Sequence, residues 1–521
     1  MVMSEESQTP AGLKFRKHPH LMEINTWVWL DELSRQANRK ITLAQIPNTE
    51  WDRLKALGFD LIWLMGVWKR SAASRAMFRT DSGKFPQYDR VLPGWRLADV
   101  VGSPFSIQDY VPDPYLGDWD ELDAVRKQLH QRGMGLILDF VPNHTAPDHA
   151  WVQSHPEYYV QSSEEDFRRD PSSCIVVDGD PAPRVIARGK DPYLPAWPDT
   201  AQLNYFNPET RAAMVDIART IARHSDGVRC DMAMLIVNAV FARTWGDRLS
   251  TFQAPAREFW PDLTASLPDF VWIAEVYWDM EWQLQQMGFQ FTYDKRFYDR
   301  LRSSNPADIL AHLCADLSYQ THLLRFLENH DEERSAAVFA DGKLQAAATL
   351  VATLPGLRFY HQGQLEGRKI HLPIPLSRAA DESPDPTIQS LYEKLLEISN
   401  QEIFHEGDWA LFGVGPAGDQ TSGNLIGYGW DFPESTVIVV VNLSPQASQA
   451  RILPKVMIDH VQVYRLTDTI HGITFSRIGQ EIAENGIYLK IEPYGFRIFD
   501  VRPQASAVRA PAPAVFRDLS K

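Results

Sequence analysis

From about residue 20 to about residue 360 the chain alternates short apolar runs with amphipathic stretches, and no other feature narrows its fold as far. Met22–Leu30 (MEINTWVWL) is rich in β-branched and aromatic residues and reads as a strand. Thr49–Leu57 reads as a helix, with Trp51, Leu54 and Leu57 on one face and Gly58 placed to stop it. Asp60–Met65 (DLIWLM) reads as the next strand. Asp118 opens a helix with Glu121 three residues on, a capping-box pattern, and Gly133 ends it. Gly135–Val141 (GLILDFV) is a near-continuous apolar strand, the kind buried on both faces of a parallel sheet. Asn207 caps and Pro208 opens a helix through Arg223, which leads into Gly227–Ala233. Phe270–Tyr277, Gln290–Tyr293, Leu323–Leu327 and Leu357–Tyr360 bring the count to eight strands. Repeated βα units closing at eight predict an α/β fold, a (β/α)8 TIM barrel.

Spacing adds an insertion to that barrel. Asp231 and Glu275 are 44 residues apart, about one βα unit, whereas Asp139 and Asp231 are 92 apart. The excess, about residues 145–205, is rich in Pro, Ser and Asp and predicts a small lobe after strand three. It would lie at the C-terminal face, where barrel enzymes build their sites. Residues 21–404 are therefore read as the barrel with its insertion. Short strands separated by turns then predict a separate antiparallel β domain over 405–502. Residues 1–20 and the Pro/Ala-rich 503–521 read as flexible ends.

Composition excludes several classes. The net charge is −15, so an acidic surface repels phosphate backbones and nucleic acid is not an expected partner. No apolar run reaches the ~20 residues of a membrane span, so no membrane partner is expected. The N-terminal stretch has no apolar signal region, which gives a cytoplasmic location as the expectation. Cys174, Cys230 and Cys314 are too scattered for a disulfide framework or a metal pair, and no metal ligands are assigned. Oligomeric state is not legible.

Chemistry concentrates in four segments at strand ends: Asp139–His144 (DFVPNH), Gly227–Asp231 (GVRCD), Ala274–Trp278 (AEVYW) and Glu328–Asp331 (ENHD). Arg229 and Asp231 are two apart on a strand, so they point the same way. A guanidinium there lowers the carboxylate pKa and keeps it ionised, as a nucleophile needs. Glu275 ends a strand of apolar neighbours, where a raised pKa suits a general acid. Two carboxylates tuned apart are the machinery of glycoside hydrolysis. Any one of these acids could equally be a buried ion pair or a cap. Three acids with Arg229, His144 and His330 at strand ends make that bland reading improbable.

These four segments resemble, in order, the four short conserved regions of the α-amylase family of glycoside hydrolases, also called family 13. GFDLIWLMGVW and GFQFTYDKRFYDRL add to the resemblance, which runs from about Met22 to residue 500. It implies Asp231 as nucleophile, Glu275 as acid/base and Asp331 as the third acid that binds sugar hydroxyls. It implies substrate contacts from Arg229, His144, His330, Phe105 and Trp278, and scaffold roles for Asp139 and Asn143. It implies that the C-terminal antiparallel β domain is a β-sandwich. Because the family is retaining, Asp231 and Glu275 are expected ~5–5.5 Å apart. The implied activity is a retaining glycosidase acting on α-glucosidic bonds of maltodextrin- or glycogen-like α-glucans.

Some positions depart from the family pattern. Phe105 and Ser106 stand where a Tyr-Asp pair is frequent, and Met234 and Leu235 where a Lys-His pair serves the acceptor side. Gln202 replaces an Asp that is commonly a calcium ligand. Asn143 alone does not make a site that wants ~6–8 oxygens, so no cofactor is required and the balance is against a structural calcium. Trp68, Trp151, Trp197, Tyr193 and Tyr205 are read either as subsite walls or as packing. Hydrolysis is favoured over α-glucan transglycosylation or isomerisation (maltosyltransferase, amylosucrase or trehalose synthase type). The transfer alternative is carried by SPFSI and PDHAWVQSHPEYY, which resemble glycogen-building maltosyltransferases. A non-catalytic carbohydrate-binding barrel is the weaker third reading, since all three acids remain.

Overall fold

The structure, a computed structural model, describes residues 14–178, 183–249, 252–303, 305–433, 435–455 and 459–504. Most of the two expected flexible ends, residues 1–13 and 505–521, lies outside the described residues. Within them the expectation of a loose start fails from Arg16 onward. Arg16 binds Asp60 at 2.8 Å, His18 is 1% exposed, and His20 already opens the first strand. The chain divides into two compact units, 1–406 and 407–521.

The first unit is a closed parallel barrel. Its strands are β1 (His20–Asn25), β2 (Leu61–Met65), β3 (Gly135–Phe140), β4 (Gly227–Cys230), β5 (Val271–Ala274), β6 (Phe291–Tyr293), β7 (Leu323–Arg325) and β8 (Leu357–His361). They close in chain order, with β8 pairing back onto β1. Every residue of β2 and β3 is buried, as expected where helices cover one face and the barrel interior the other. The expected strand Met22–Leu30 divides at Asn25. The Asn25 side chain caps helix α1 (Thr26–Ala37), accepting from the Val28 N–H. Trp27, Val28, Trp29, Leu30 and Leu33 are all buried on α1, so packing overrides the strand preference of β-branched and aromatic residues. Helix α2 (Asn48–Ala56) follows, and Gly58 ends that segment with φ +89°. Among the described residues no helix is long and apolar enough to cross a membrane.

Two lobes stand on the C-terminal ends of the strands. The insertion after β3 holds a three-stranded antiparallel sheet, Gln161–Ser162, Arg184–Ala187 and Cys174–Val177. It returns through Ala201–Gln202, which pairs with His144–Thr145. A second lobe follows β2 and was not expected. It carries an irregular antiparallel pair, Trp68–Arg70 with Ile107–Pro112, and helices α3 (Ala72–Thr80) and α4 (Phe85–Val91). Tyr88, Val91, Leu92 and Val100 of this lobe share a core with Leu376, from the loop after β8.

The second unit is antiparallel throughout. A six-stranded sheet is built from Asp408–Leu411, Leu425–Phe432, Ser435–Asn442, Phe496–Pro503, Val463–Asp468 and Thr474–Ile478, in that spatial order. A three-stranded sheet joins Gly413–Pro416, Ser448–Leu453 and Ile487–Ile491. Ile438, Val440, Leu466 and Phe499 from the first sheet meet Ala450, Ile452 and Leu489 from the second in one core, the face-to-face packing of a sandwich.

Candidate active site

The strand ends aim the predicted acids at one place. Gly227 lets β4 sit tightly between β3 and β5: a Cβ there would lie 2.5 Å from the Val271 carbonyl oxygen. That seating puts Arg229 in register with Asp139 on β3 and Ile273 on β5. Arg229 is 1% exposed and spans the two acids expected to pair. Its Nη1 donates to Asp231 Oδ1 at 2.7 Å, and its Nη2 lies 2.8 Å from Glu275 Oε2. Trp63, Phe105 and Tyr293 surround the guanidinium, with ring centroids 5.3, 5.1 and 5.7 Å from its carbon.

Backbone strain supplies one more donor. Met232 takes a left-handed conformation, φ +42°, which is uncommon for a residue with a side chain. There its N–H donates to Glu275 Oε2 at 2.7 Å, while the Tyr277 hydroxyl donates to Oε1 at 2.7 Å. Both oxygens of Glu275 are therefore partnered. Tyr277 was not singled out in the sequence, although it stands two residues after Glu275 on an extending strand end.

Burial governs the ionisation of this pair. It pushes the Asp231 carboxyl above its ordinary value, against the pull of Arg229, and the nearby Asp331 charge adds to the push. Arg229 lowers the Asp231 pKa as expected, but the expected net depression is corrected: loss of water outweighs the guanidinium, which is shared with Glu275. Glu275 is likewise pushed up by burial, with Arg229 opposing and Asp231 and Asp331 adding.

Asp331 behaves in the opposite way. Its side chain opens to the cavity, 47% exposed, although it lies deep among the barrel-end loops. That depth alone would push its carboxyl up, but the charge and hydrogen bond of His330 hold it down at about 2. His330 Nε2 lies 3.1 Å from Asp331 Oδ2, and its Nδ1 lies 2.5 Å from Glu23 Oε1. Burial works against the imidazolium, but Asp331 and then Glu23 push its pKa well above the usual histidine value. Glu23 sits on β1, wholly buried, and no sequence signal marked it. A lone acid in MEIN reads as an ordinary strand-edge residue until the barrel closes it against β7 and β8.

The third strand end is braced in the way expected of a scaffold. Asp139 accepts from Trp63 Nε1 at 3.0 Å and from the Gly66 N–H at 2.6 Å. Trp68 Nε1 donates to the Asp139 carbonyl at 2.7 Å, which makes Trp68 a packing residue rather than a subsite wall. Tyr205 is also wholly buried. Ser106, in the place of the family's acid, donates instead to the Asp199 carbonyl at 2.7 Å.

A cavity of about 390 Å³ opens over these groups. Asp231, Glu275, Asp331, Phe105, His144 and Trp197 line it. Burial lowers His144 to about 4, so it faces the cavity as a neutral ring. Arg229 and His330 stand behind the carboxylates rather than on the wall. Trp278 is not among the lining residues. Its backbone is left-handed, φ +64°, and its ring meets Tyr193 edge-on at 5.1 Å. Trp151 packs on His149 and Tyr158.

The position where the family carries calcium is filled by protein. Gln202 Nε2 donates to the Asn143 carbonyl at 2.8 Å, to Asn143 Oδ1 at 3.0 Å and to the Leu203 carbonyl at 3.0 Å. Both residues are buried. A nitrogen donor sits at the centre of the oxygens a cation would need, so the residues present do not fit a calcium ion there.

Comparison with known proteins gives this arrangement its family. A family profile for the α-amylase catalytic domain matches residues 49–381, well over half of the chain. The chain belongs to the α-amylase family. It is 25% identical over 298 residues to α-amylase 3 of Dictyoglomus thermophilum, covering 51% of this chain and 54% of that one. It is 29% identical over 136 residues to an α-1,4-glucan:maltose-1-phosphate maltosyltransferase of Bifidobacterium longum, covering 25% of this chain and 15% of the relative. It thus spans about half, or less, of the length of these curated relatives. Among solved structures, a maltogenic α-amylase, AmyB, of Thermotoga neapolitana superposes with a TM-score of 0.66 at 19% identity. That match covers 93% of this chain and 99% of AmyB, a likeness of fold.

Proposed function

We propose that this family member is a retaining glycosidase that cleaves α-glucosidic bonds of maltodextrin- or glycogen-like α-glucans. The observation that carries the reading is the single guanidinium of Arg229, which holds Asp231 and Glu275 side by side at 2.7 and 2.8 Å in the wall of one cavity. A retaining mechanism uses carboxyls ~5–5.5 Å apart, whereas an inverting one leaves ~6.5–9.5 Å for a water between them. Two acids on one guanidinium favour the close pair.

Asp231 attacks the anomeric carbon and forms a covalent glycosyl-enzyme. Glu275 delivers its proton to the leaving oxygen, and burial, which raises its pKa, favours the protonated form that this step needs. Loss of the proton leaves a carboxylate that Arg229, the Met232 N–H and the Tyr277 hydroxyl receive. The same carboxylate then takes a proton from the water that releases the sugar. Asp331, held ionised by His330, binds sugar hydroxyls and stabilises positive charge developing on the ring. Phe105 packs against the sugar face and His144 hydrogen-bonds it. At the position where the family carries calcium, the Gln202–Asn143 pair braces the third strand end instead.

The test is the release of reducing ends from maltoheptaose with time, products being resolved by chain length, with Asp231→Asn as control. A steady rise that the variant lacks supports a hydrolase. New chain lengths without a rise favour the transfer reading, to which the local likeness to a maltosyltransferase and the apolar Met234 and Leu235 in place of a Lys-His pair lend support. No turnover of any α-glucan would refute both.

A further inference from the structure

We propose that the cavity accepts the non-reducing end of an α-glucan, or a short α-glucoside, and excludes the interior of a chain. This rests on the assignment of Glu275 as acid/base. The acid/base meets the leaving oxygen, so the leaving group departs on the β5 side. In a closed ring of eight strands, β5 stands across the axis from β1, and β2 and β8 flank β1. The glycone, on the opposite side from the leaving group, therefore points toward the segments that follow β2 and β8.

Those segments form a wall. Met77, Phe78, Asp81 and Lys84, from α3 and the turn after it, line the cavity together with Ile374 from the loop after β8. Helix α3 has nine residues and so runs roughly 13 Å at about 1.5 Å per residue. Ser74 is buried near its start, Met77 and Phe78 are half-buried, and Asp81 and Lys84 are exposed beyond its end.

The wall is fixed on both flanks. Toward β8, the Val101 N–H donates to the Pro375 carbonyl at 2.8 Å, Arg378 binds Asp99 at 3.0 Å, and the shared core around Tyr88 and Leu376 fills the space between. Toward the β3 insertion, the Ser71 hydroxyl donates to Asp148 at 2.6 Å and the Ser74 hydroxyl to Asp199 at 2.7 Å. A chain threading past the acids on the glycone side would have to displace α3 from both neighbours. The cavity volume, about 390 Å³, lies at the small end of the ~300–1,000 Å³ of small-molecule sites. Its composition suits a terminal sugar: Met77 and Phe78 offer apolar surface to the ring, and Asp81 and Lys84 offer charged partners to free hydroxyls that an internal residue lacks.

The test compares a maltoheptaoside with a free non-reducing end against the same compound carrying a cyclic acetal on its terminal 4- and 6-hydroxyls. Consumption of each is followed by chromatography, so hydrolysis and transfer both register. The expected result is stepwise shortening of the free compound and consumption of the blocked one slower by about 100-fold or more. Equal consumption of both, with internal fragments, would overturn the inference while leaving the glycosidase reading intact. Consumption of neither would remove the glycosidase reading itself and this inference with it. Two variants outside the acid cluster, Met77→Ala and Lys84→Ala, test the wall directly. Each is expected to raise KM for the free compound about 3- to 10-fold, and an unchanged KM in both would overturn the role given to the wall.

Discussion

The two sides of the site answer burial in opposite ways. On the β4–β5 side Asp231 and Glu275 share one guanidinium, and burial pushes both carboxyls up. On the β7–β1 side the cationic His330 lies between Asp331 and a second acid, Glu23, and the Asp331 carboxyl falls to about 2. The same barrel end thus prepares a pair that can hold a proton and an acid that cannot. The difference lies in the neighbouring charges, since each side has one cation between two acids. Asp231 and Glu275 share Arg229 and are pushed further up by adjacent carboxylates, whereas Asp331 is drawn down by His330, Arg229 and His371 together.

The largest test of that contrast removes one of the two acids that share Arg229. Asp231→Asn is expected to lower turnover of maltoheptaose by roughly 10⁴-fold or more, and near-wild-type activity in the variant would break the assignment of the pair. The β7–β1 side is sharpened by Glu23→Gln. The His330 pKa is raised in the folded protein, so its charge is present at low pH and lost as pH rises through that folded value. Removing Glu23 removes one of the two influences that raise it, while burial still lowers it. The titration of the His330 ring, followed by NMR, is therefore expected to move down by about one pH unit or more. A reduced rate with an unmoved His330 titration would mean that Glu23 only supports the local packing.

Stability gives a smaller and opposite signal on the two sides. A carboxyl whose folded pKa is raised costs stability once pH exceeds its unfolded value, so Asp231→Asn at pH 7 is expected to raise Tm by about 1–3 °C. Asp331, whose folded pKa is depressed, contributes stability above about pH 4 that is lost as pH falls toward 2, so Asp331→Asn is expected to lower Tm at pH 7. Calorimetry on the pair of variants checks both signs, and equal shifts in one direction would remove the contrast. The smallest effect concerns the third strand end. A chelator is expected to leave Tm unchanged in the native chain. Gln202→Asp, which places a carboxylate among the oxygens of Asn143 and Leu203, is expected to lower Tm by about 2–6 °C and to regain stability when calcium is added. A chelator-sensitive native protein would contradict the reading of Gln202.

The sequence was legible where chemistry is dense within a few residues. Arg229 with Asp231, Glu275 after an apolar strand, and His330 with Asp331 each announce a strand end, and the barrel that gathers them follows from eight βα repeats. Long-range partners were not legible. Glu23 meets His330 across 307 positions, and nothing local distinguishes it from a surface acid. The lobe after β2 is not legible because SAASRAMFRTDSGKFPQYDRVL has a weak helical pattern, and its core is completed by Leu376, far along the chain. Thr26–Leu30 reads as strand by residue type and forms helix because Asn25 caps it and its aromatics are buried. In the second unit, Ser448–Leu453 and Thr474–Ile478 carry polar and charged residues on their open sides and did not register as strands.

The account turns on a covalent bond between substrate and Asp231. The direct measurement is to incubate the protein with a fluorinated α-glucosyl fluoride that forms the glycosyl-enzyme and leaves it slowly, then to map the adduct by peptide mass spectrometry. The account predicts one glycosyl group per chain, attached to the peptide containing Asp231 and absent from Asp231→Asn. Turnover without any adduct, or an adduct on another carboxylate, would contradict it.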